Sequence, residues 1–194
     1  MHNTGRLLLL AGALAVPGLA HAHPGHETLH GLFSGLGHPL FGFDHLLAML
    51  AVGLWGAQLG GRARWLLPVL FVGVMLSGGA LGMLGVSIPV VEPGIIASVV
   101  ALGLFLLWAR QVPLLASGAL VSLFALFHGV AHGTEMPLQV SALTYALGFA
   151  LATAALHIVG LQAGSWLQRQ SWPLVTRTLG ALIGLAGLGM LMAG

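Results

Sequence analysis

Two short stretches of this sequence set histidine and carboxylate side chains into otherwise apolar surroundings. The six residues are His38, Asp44, His45, His128, His132 and Glu135. In the second stretch the intervals are four and three residues, so on a helix the three side chains share one face. Imidazole suits divalent transition metals, and ionisable groups inside a membrane usually mark a transport path or a site. We therefore predict that both stretches together bind a divalent metal ion.

Several other side chains leave alternatives open. Asp44 can bind the metal directly or hold a neighbouring histidine in place through a hydrogen bond. Met49 lies one turn beyond His45 and offers a thioether as an auxiliary ligand, although methionine more often fills apolar space. His23 and His26 precede the first apolar span, where they either collect metal as auxiliary ligands or belong to a flexible polar tail.

His157 stands apart from these groups. It lies toward the cytoplasmic end of the predicted fifth span, nearly opposite the face that carries Ser141, Tyr145 and Gly148. A single histidine within a span often joins two helices through a hydrogen bond. We therefore expect His157 to be a hydrogen-bonding post between helices rather than part of a polar path.

Composition places all of these groups in a membrane protein. The chain has 194 residues, of which 58% are hydrophobic and 5% are charged, whereas a soluble domain carries about 25% charged residues. Cysteine is absent, which excludes disulfides and thiolate ligands. The arginines form no basic patch with interleaved aromatic residues, so we expect a lipid bilayer, and no nucleic acid, as a partner.

The first 22 residues have the pattern of a cleavable signal peptide. Arg6 precedes the apolar run 7–16, which is too short to span a bilayer, and Ala20-His21-Ala22 has the small-x-small form of a cleavage site. An uncleaved anchor is the alternative. We predict residues 1–22 as the signal peptide and residues 23–194 as a single transmembrane domain.

The mature chain is predicted to be an all-α, polytopic membrane protein with six transmembrane helices. A span needs roughly 20 apolar residues, and the predicted helices cover about 40–59, 65–84, 93–109, 113–132, 138–161 and 174–193. Pro39 suits the first turn of a helix, so the first span should begin at residue 40 with His38 at its cap. Gly180, Gly184 and Gly187 share one face of the last span, which we interpret as a scaffold or as the dimer helix of a homo-oligomer.

Arginine placement sets the predicted orientation. Arg62 and Arg64 lie in the first loop, Arg110 lies in the third, and Arg169 and Arg177 flank the fifth. Loops rich in arginine stay in the cytoplasm. Both mature termini are therefore expected to be periplasmic, with the candidate ligands near the outer face of the membrane.

At the two ligand-bearing stretches the chain resembles the HupE/UreJ family of hydrogenase- and urease-accessory membrane proteins. The first motif is His38-Pro39-x-x-Gly42-x-Asp44-His45. The second is Phe127-His128-Gly129-x-Ala131-His132-Gly133-x-Glu135. A leader followed by six spans is also similar to that family, so the resemblance extends over essentially the whole chain.

The resemblance implies a multi-pass nickel permease of the bacterial inner membrane that supplies hydrogenase or urease maturation, not an enzyme. Its partner is then the transported ion, Ni²⁺ or in some relatives Co²⁺, with Zn²⁺ as a further candidate, and no permanent cofactor is expected. By this resemblance the transport residues are His38, Asp44, His45, His128, His132 and Glu135.

The competing hypothesis is an intramembrane zinc-dependent hydrolase. Histidines and carboxylates can hold zinc and activate a water molecule. Against this, Gly129 occupies the position where the H-E-x-x-H motif carries its glutamate base, which would leave that task to Glu135. A metal sensor or assembly partner without transport is a third interpretation, disfavoured because the very short loops offer a partner little surface.

Overall fold

The computed structural model of the protein describes residues 24–137 and 139–193, with side chains from residue 29 onward. The predicted signal peptide and His23 lie outside the described residues, and the side chain of His26 is not among those described. The described residues form seven α-helices and no strand, which confirms the all-α prediction. The helices are α1 (Pro24–Phe41), α2 (Phe43–Leu59), α3 (Ala63–Met83), α4 (Val91–Trp108), α5 (Leu114–Glu135), α6 (Ala142–Arg169) and α7 (Pro173–Ala193).

The apolar helices make this a multi-pass membrane protein. Five helices, α3 to α7, are each long and apolar enough to cross a bilayer. Residues Leu29–Phe41 of α1 and all of α2 meet the same criteria together, as a pair bent by 79°. Six spans therefore fit the described chain if the bent pair counts as one.

The start of the first span differs from the prediction. Pro39 does not open a helix but lies in the last turn of α1, which already begins at Pro24, and α2 starts only after Gly42. The segment from Pro24 onward is therefore helical rather than a flexible tail. Tertiary packing explains the difference, because a methyl group at Gly35 would lie 2.9 Å from the backbone nitrogen of Phe149, so α1 is held tightly against α6.

Close backbone contacts between glycines connect the remaining helices. A methyl group at Gly129 of α5 would lie 2.9 Å from the backbone nitrogen of Gly79 in α3, so this glycine leaves room for a neighbouring helix, as small residues in membrane helices commonly do. On α7, the stripe that includes Gly180 and Gly184 packs against Gly103 of α4. The last span was expected to be either a scaffold or a dimer helix. Its glycine stripe packs within the chain, as expected of a scaffold.

Replacing Gly103 with alanine tests this packing. The added methyl group would lie 2.7 Å from Gly184 Cα, and overpacking of this kind costs about 1–3 kcal/mol of unfolding free energy. We expect the detergent-purified Gly103→Ala variant to unfold several degrees lower in a thermal scan. The matched control is Gly73→Ala, because no atom lies within 4 Å of a methyl group there. Equal loss of stability in both variants would contradict the packing argument.

Candidate metal centre

Four histidines from three helices form one contiguous group, which we call the histidine cluster. His38 comes from α1, His45 from α2, and His128 and His132 from α5. The ring centroids of His38 and His132 are 4.4 Å apart, those of His132 and His45 are 4.4 Å apart, and those of His45 and His128 are 4.6 Å apart. The two ligand-bearing stretches of the sequence therefore meet in space.

The bend between α1 and α2 brings the first two histidines together. In an unbroken helix, seven residues would separate His38 and His45 by about 10.5 Å along the axis. Across the bend their ring centroids are 6.0 Å apart. Gly42, at the break, has little space for a side chain, since a methyl group there would lie 3.2 Å from His45 Nδ1 and 3.3 Å from Asp44 Oδ1.

Four ring nitrogens of the cluster are buried without a hydrogen-bond partner among the described residues. His45, His128 and His132 are 5%, 0% and 3% exposed. Among the described residues nothing bonds to His45 Nε2, His128 Nδ1 or either nitrogen of His132. A buried polar atom left without a partner costs about 1–3 kcal/mol, and one common explanation is a bound ion. A metal cation would supply the missing partner to several of these nitrogens at once.

Asp44 holds His45 in one tautomer. The carboxylate accepts hydrogen bonds from His45 Nδ1 and from the backbone N–H of His45, both at 2.7 Å. A carboxylate can only accept, so Nδ1 carries the proton and Nε2 keeps its lone pair. This is the positioning arrangement usual for metal-binding histidines, and it favours the second of the two roles considered for Asp44.

Ser98 holds His128 in the same manner. Its hydroxyl donates to the carbonyl of Ile95 at 2.6 Å, so the oxygen is left to accept from His128 Nε2 at 3.0 Å. The lone pair of His128 then lies on Nδ1. The sequence interpretation missed Ser98, although it is the one hydroxyl residue of the apolar helix α4 and is fully buried. A single hydroxyl residue in an otherwise apolar helix is the sequence feature that would have identified it.

Glu135 extends the site at the end of α5. One ligand atom each from His38, His132 and Glu135 lies within 4.8 Å of the others, and we call these three residues the rim triad. Metal–ligand bonds of about 2.1 Å place opposite ligands at most about 4.2 Å apart, so a closure of about half an ångström would let them share one ion. Glu135 is exposed and borders an open cavity of about 310 Å³ that also touches Glu92.

Aromatic rings bound the cluster on two sides. Phe149 of α6 lies 4.0 Å from the His132 ring, and Phe71 of α3 lies 5.5 Å from the His128 ring, measured between centroids. No pattern in the sequence distinguishes these two phenylalanines from others in apolar helices. The two rings pack against His132 and His128, which are buried, and burial away from water strengthens electrostatic interactions.

Two predicted residues have other surroundings. Met49 is fully buried and packs in the apolar core with Trp55 and Phe71. His157 is also fully buried, but neither of its ring nitrogens has a hydrogen-bond partner among the described residues. The expectation that His157 forms a hydrogen bond between helices is therefore wrong. Its ring packs instead against Phe71, whose ring centroid is 5.1 Å away and which has no polar side-chain atom.

The position that would carry the base of a zinc hydrolase has no room for one. Gly129 lies where the H-E-x-x-H motif places its glutamate. Its Cα faces the backbone of α3, and any side chain there would collide with the carbonyl group of Met75. Glu135 lies instead in the rim triad, with one carboxylate oxygen within 4.8 Å of a ring nitrogen of His38 and of His132.

Comparison with known proteins gives two findings. Residues 10–190 match the family described as HupE / UreJ protein. The chain is also 42% identical over 180 residues to Protein HupE of Rhizobium leguminosarum bv. viciae, an alignment that covers 93% of this chain and 94% of that protein. No solved structure matches the chain significantly.

Removing the Ser98 hydroxyl tests the geometry of the cluster. In Ser98→Ala the His128 ring loses the bond that fixes its tautomer, and loss of such a partner typically weakens metal binding 10–100-fold. We expect at least a tenfold higher dissociation constant for Ni²⁺, measured by calorimetry on the purified protein. The matched control is Ser77→Ala, because Ser77 bonds only the Gly73 carbonyl of its own helix and is exposed. Unchanged affinity in Ser98→Ala would refute this role.

Proposed function

This chain belongs to the HupE/UreJ family, and from that membership and the histidine cluster we propose that it is a permease importing a divalent transition-metal ion across the bacterial inner membrane. The single observation that carries the proposal is the convergence of four histidines from three helices, with buried ring nitrogens that have no partner among the described residues. Nickel is the proposed ion and cobalt the main alternative, for supply to hydrogenase or urease.

The ligand chemistry supports a borderline-soft cation. Neutral imidazole nitrogens suit Ni, Zn, Cu and Fe, whereas Mg²⁺ and Ca²⁺ prefer oxygen ligands. Among these transition metals geometry and supply decide more than raw affinity, so the choice of nickel rests on the family. The 42% identity to Protein HupE of Rhizobium leguminosarum bv. viciae supports the same family assignment.

The membrane potential is a sufficient driving force. Moving one charge inward through 100 mV releases about 2.3 kcal/mol, so a dication gains about 4.6 kcal/mol. The sequence holds no G-x-x-x-x-G-K-[ST] phosphate-binding loop that would point to ATP. Inward movement also agrees with the arginine pattern, which predicts that the rim triad lies toward the periplasmic side.

We infer a stepwise transfer through the cluster. The exposed Glu135 attracts the hydrated cation, and the rim triad replaces its water. The His132 ring contacts both His38 and His45, so the ion exchanges one imidazole for the next without losing all of its ligands. His45 and His128, held by Asp44 and Ser98, receive it with their lone pairs already presented.

His132→Ala tests the proposed function directly. His132 is the ring that joins the rim triad to the deeper histidines, so we expect uptake of radiolabelled nickel into proteoliposomes to fall at least tenfold at limiting metal. Competition by excess cobalt or zinc in the same assay gives the relative preference of the protein for the three ions. The control is Leu123→Ala on the same helix, whose side chain is 48% exposed on the lipid-facing surface. Full uptake by His132→Ala would refute the function.

Glu135→Gln tests the order of the steps. If Glu135 acts in capture, loss of its charge should raise the nickel concentration for half-maximal uptake at least fivefold and leave the maximal rate almost unchanged. His128→Ala, which removes a deeper ligand, should mainly lower the maximal rate. If Glu135→Gln instead lowered the maximal rate, and His128→Ala instead raised the concentration for half-maximal uptake, the ion would not enter at the rim triad.

A further inference from the structure

The end of the bundle opposite the histidine cluster is positively charged. Arg110 follows the C-terminal end of α4, and Arg177 lies in the second turn of α7. Glu92, in the first turn of α4, is about 24 Å from the last turn of that helix. In the described part of the chain the only ion pair is that of His45 with Asp44. Arg110 and Arg177 therefore have no carboxylate partner among the described side chains.

Both arginines contact the end of α4. The Nε–H of Arg177 donates to the Leu107 carbonyl at 3.0 Å, which holds the guanidinium group against this helix. This bond uses one N–H, and the terminal nitrogens carry further donors for another acceptor. Arg110 lies over the Trp108 ring, with its guanidinium carbon 6.0 Å from the ring centroid, as in a cation–π contact. Two guanidinium groups are thus fixed beside the last turn of α4.

An apolar groove extends from these arginines along the outside of α4. Its volume is about 590 Å³, and it is lined by Ala101, Leu104, Phe105, Leu107, Trp108 and Arg177. Leu104 is 54% exposed and Trp108 is 61% exposed, so the groove opens toward the lipid. The distance from Ala101 to Trp108 along the helix axis is about 10.5 Å. The groove therefore combines an elongated apolar wall with a cationic end.

We propose that this groove binds one anionic phospholipid, with the phosphate at Arg177 and Arg110 and an acyl chain along α4. Phosphate accepts paired hydrogen bonds from guanidinium groups. Basic pockets between membrane helices on the cytoplasmic side bind anionic head groups, and the arginine pattern predicts that this end of the bundle faces the cytoplasm. The proposal uses only the membrane location of the chain and does not depend on the transported ion.

Charge favours this occupant over two others. A zwitterionic phospholipid brings an ammonium group with its phosphate, and none of the lining residues given for the groove is a carboxylate that could receive it. A second copy of the chain, related by a twofold axis, would bring its own Arg177 toward the same site, and like charges across an interface are costly. An anionic head group neutralises both arginines without either cost.

Thermal unfolding of the delipidated protein in detergent tests the head-group preference. A ligand that binds only the folded state raises the thermal midpoint. We expect phosphatidylglycerol to raise it by several degrees, and phosphatidylcholine with the same acyl chains to raise it much less. Arg110→Gln combined with Arg177→Gln should abolish this difference, measured against the lipid-free midpoint of the same variant. An equal effect of the two lipids on the wild-type protein would overturn the proposal.

The matched control combines Arg62→Gln with Arg169→Gln. Both residues are exposed at the same end of the bundle and lie outside the groove, so the net charge changes equally. This control should keep the full effect of phosphatidylglycerol. If it loses the effect as the groove variant does, the lipid responds only to the overall charge of that end, and the specific site is wrong.

Fluorescence quenching by lipids with brominated acyl chains tests where the lipid binds. The difference between the wild-type protein and Trp108→Phe gives the quenching of Trp108. We expect half-maximal quenching at a lipid concentration at least fivefold lower for phosphatidylglycerol than for phosphatidylcholine. Trp65 is the control, because it is 62% exposed in the first turn of α3 and outside the groove, and its quenching should show no such preference. Equal quenching of Trp108 by both lipids would overturn the proposal.

A second chain in the groove is the remaining outcome. If light scattering shows a wild-type dimer that dissociates in the Arg110→Gln and Arg177→Gln variant, and brominated phosphatidylglycerol leaves Trp108 unquenched, the groove is an interface between copies and the lipid proposal is wrong. None of these measurements involves nickel, so their outcome is independent of the result for His132→Ala.

Discussion

Four imidazole nitrogens buried without a hydrogen-bond partner are the constraint on which the rest of this structure depends. They belong to His45, His128 and His132, and nothing among the described residues satisfies them. Each costs about 1–3 kcal/mol, so together they would consume much of the stability of an ordinary domain. Such an arrangement persists only when rigid surroundings enforce it, and the cation that we propose as the transported ion would turn this cost into binding energy.

The surroundings enforce it in two ways. Asp44 accepts a hydrogen bond from one ring nitrogen of His45, and Ser98 accepts one from a ring nitrogen of His128. Each bond fixes the tautomer, so the second nitrogen of the ring keeps its lone pair. The two supporting residues differ in charge. Asp44, which is anionic, lies toward the exposed end of the cluster, whereas Ser98, which is neutral, lies at the fully buried end. Hydrocarbon tolerates a hydroxyl much better than an isolated carboxylate.

Glycine-mediated packing supplies the rigidity that these bonds require. The α3–α5 and α4–α7 interfaces bring backbones into direct contact, which fixes the distance between helices more firmly than long flexible side chains would. The histidines of α5 and the serine of α4 are therefore presented by elements that cannot easily slide. Precise placement of this kind is what allows ring centroids to succeed one another at 4.4–4.6 Å along the cluster.

The sequence by itself determined the all-α class, the apolar helices, the ligand types and the shared face of His128 and His132, because helical periodicity is a local property of the backbone. Only the tertiary structure decided that Pro39 lies in the last turn of a helix, that α1 and α2 bend at Gly42, and that Ser98 and Phe71 flank the cluster. These features depend on which residues of distant helices meet, and that follows from packing across helices rather than from any interval along one of them.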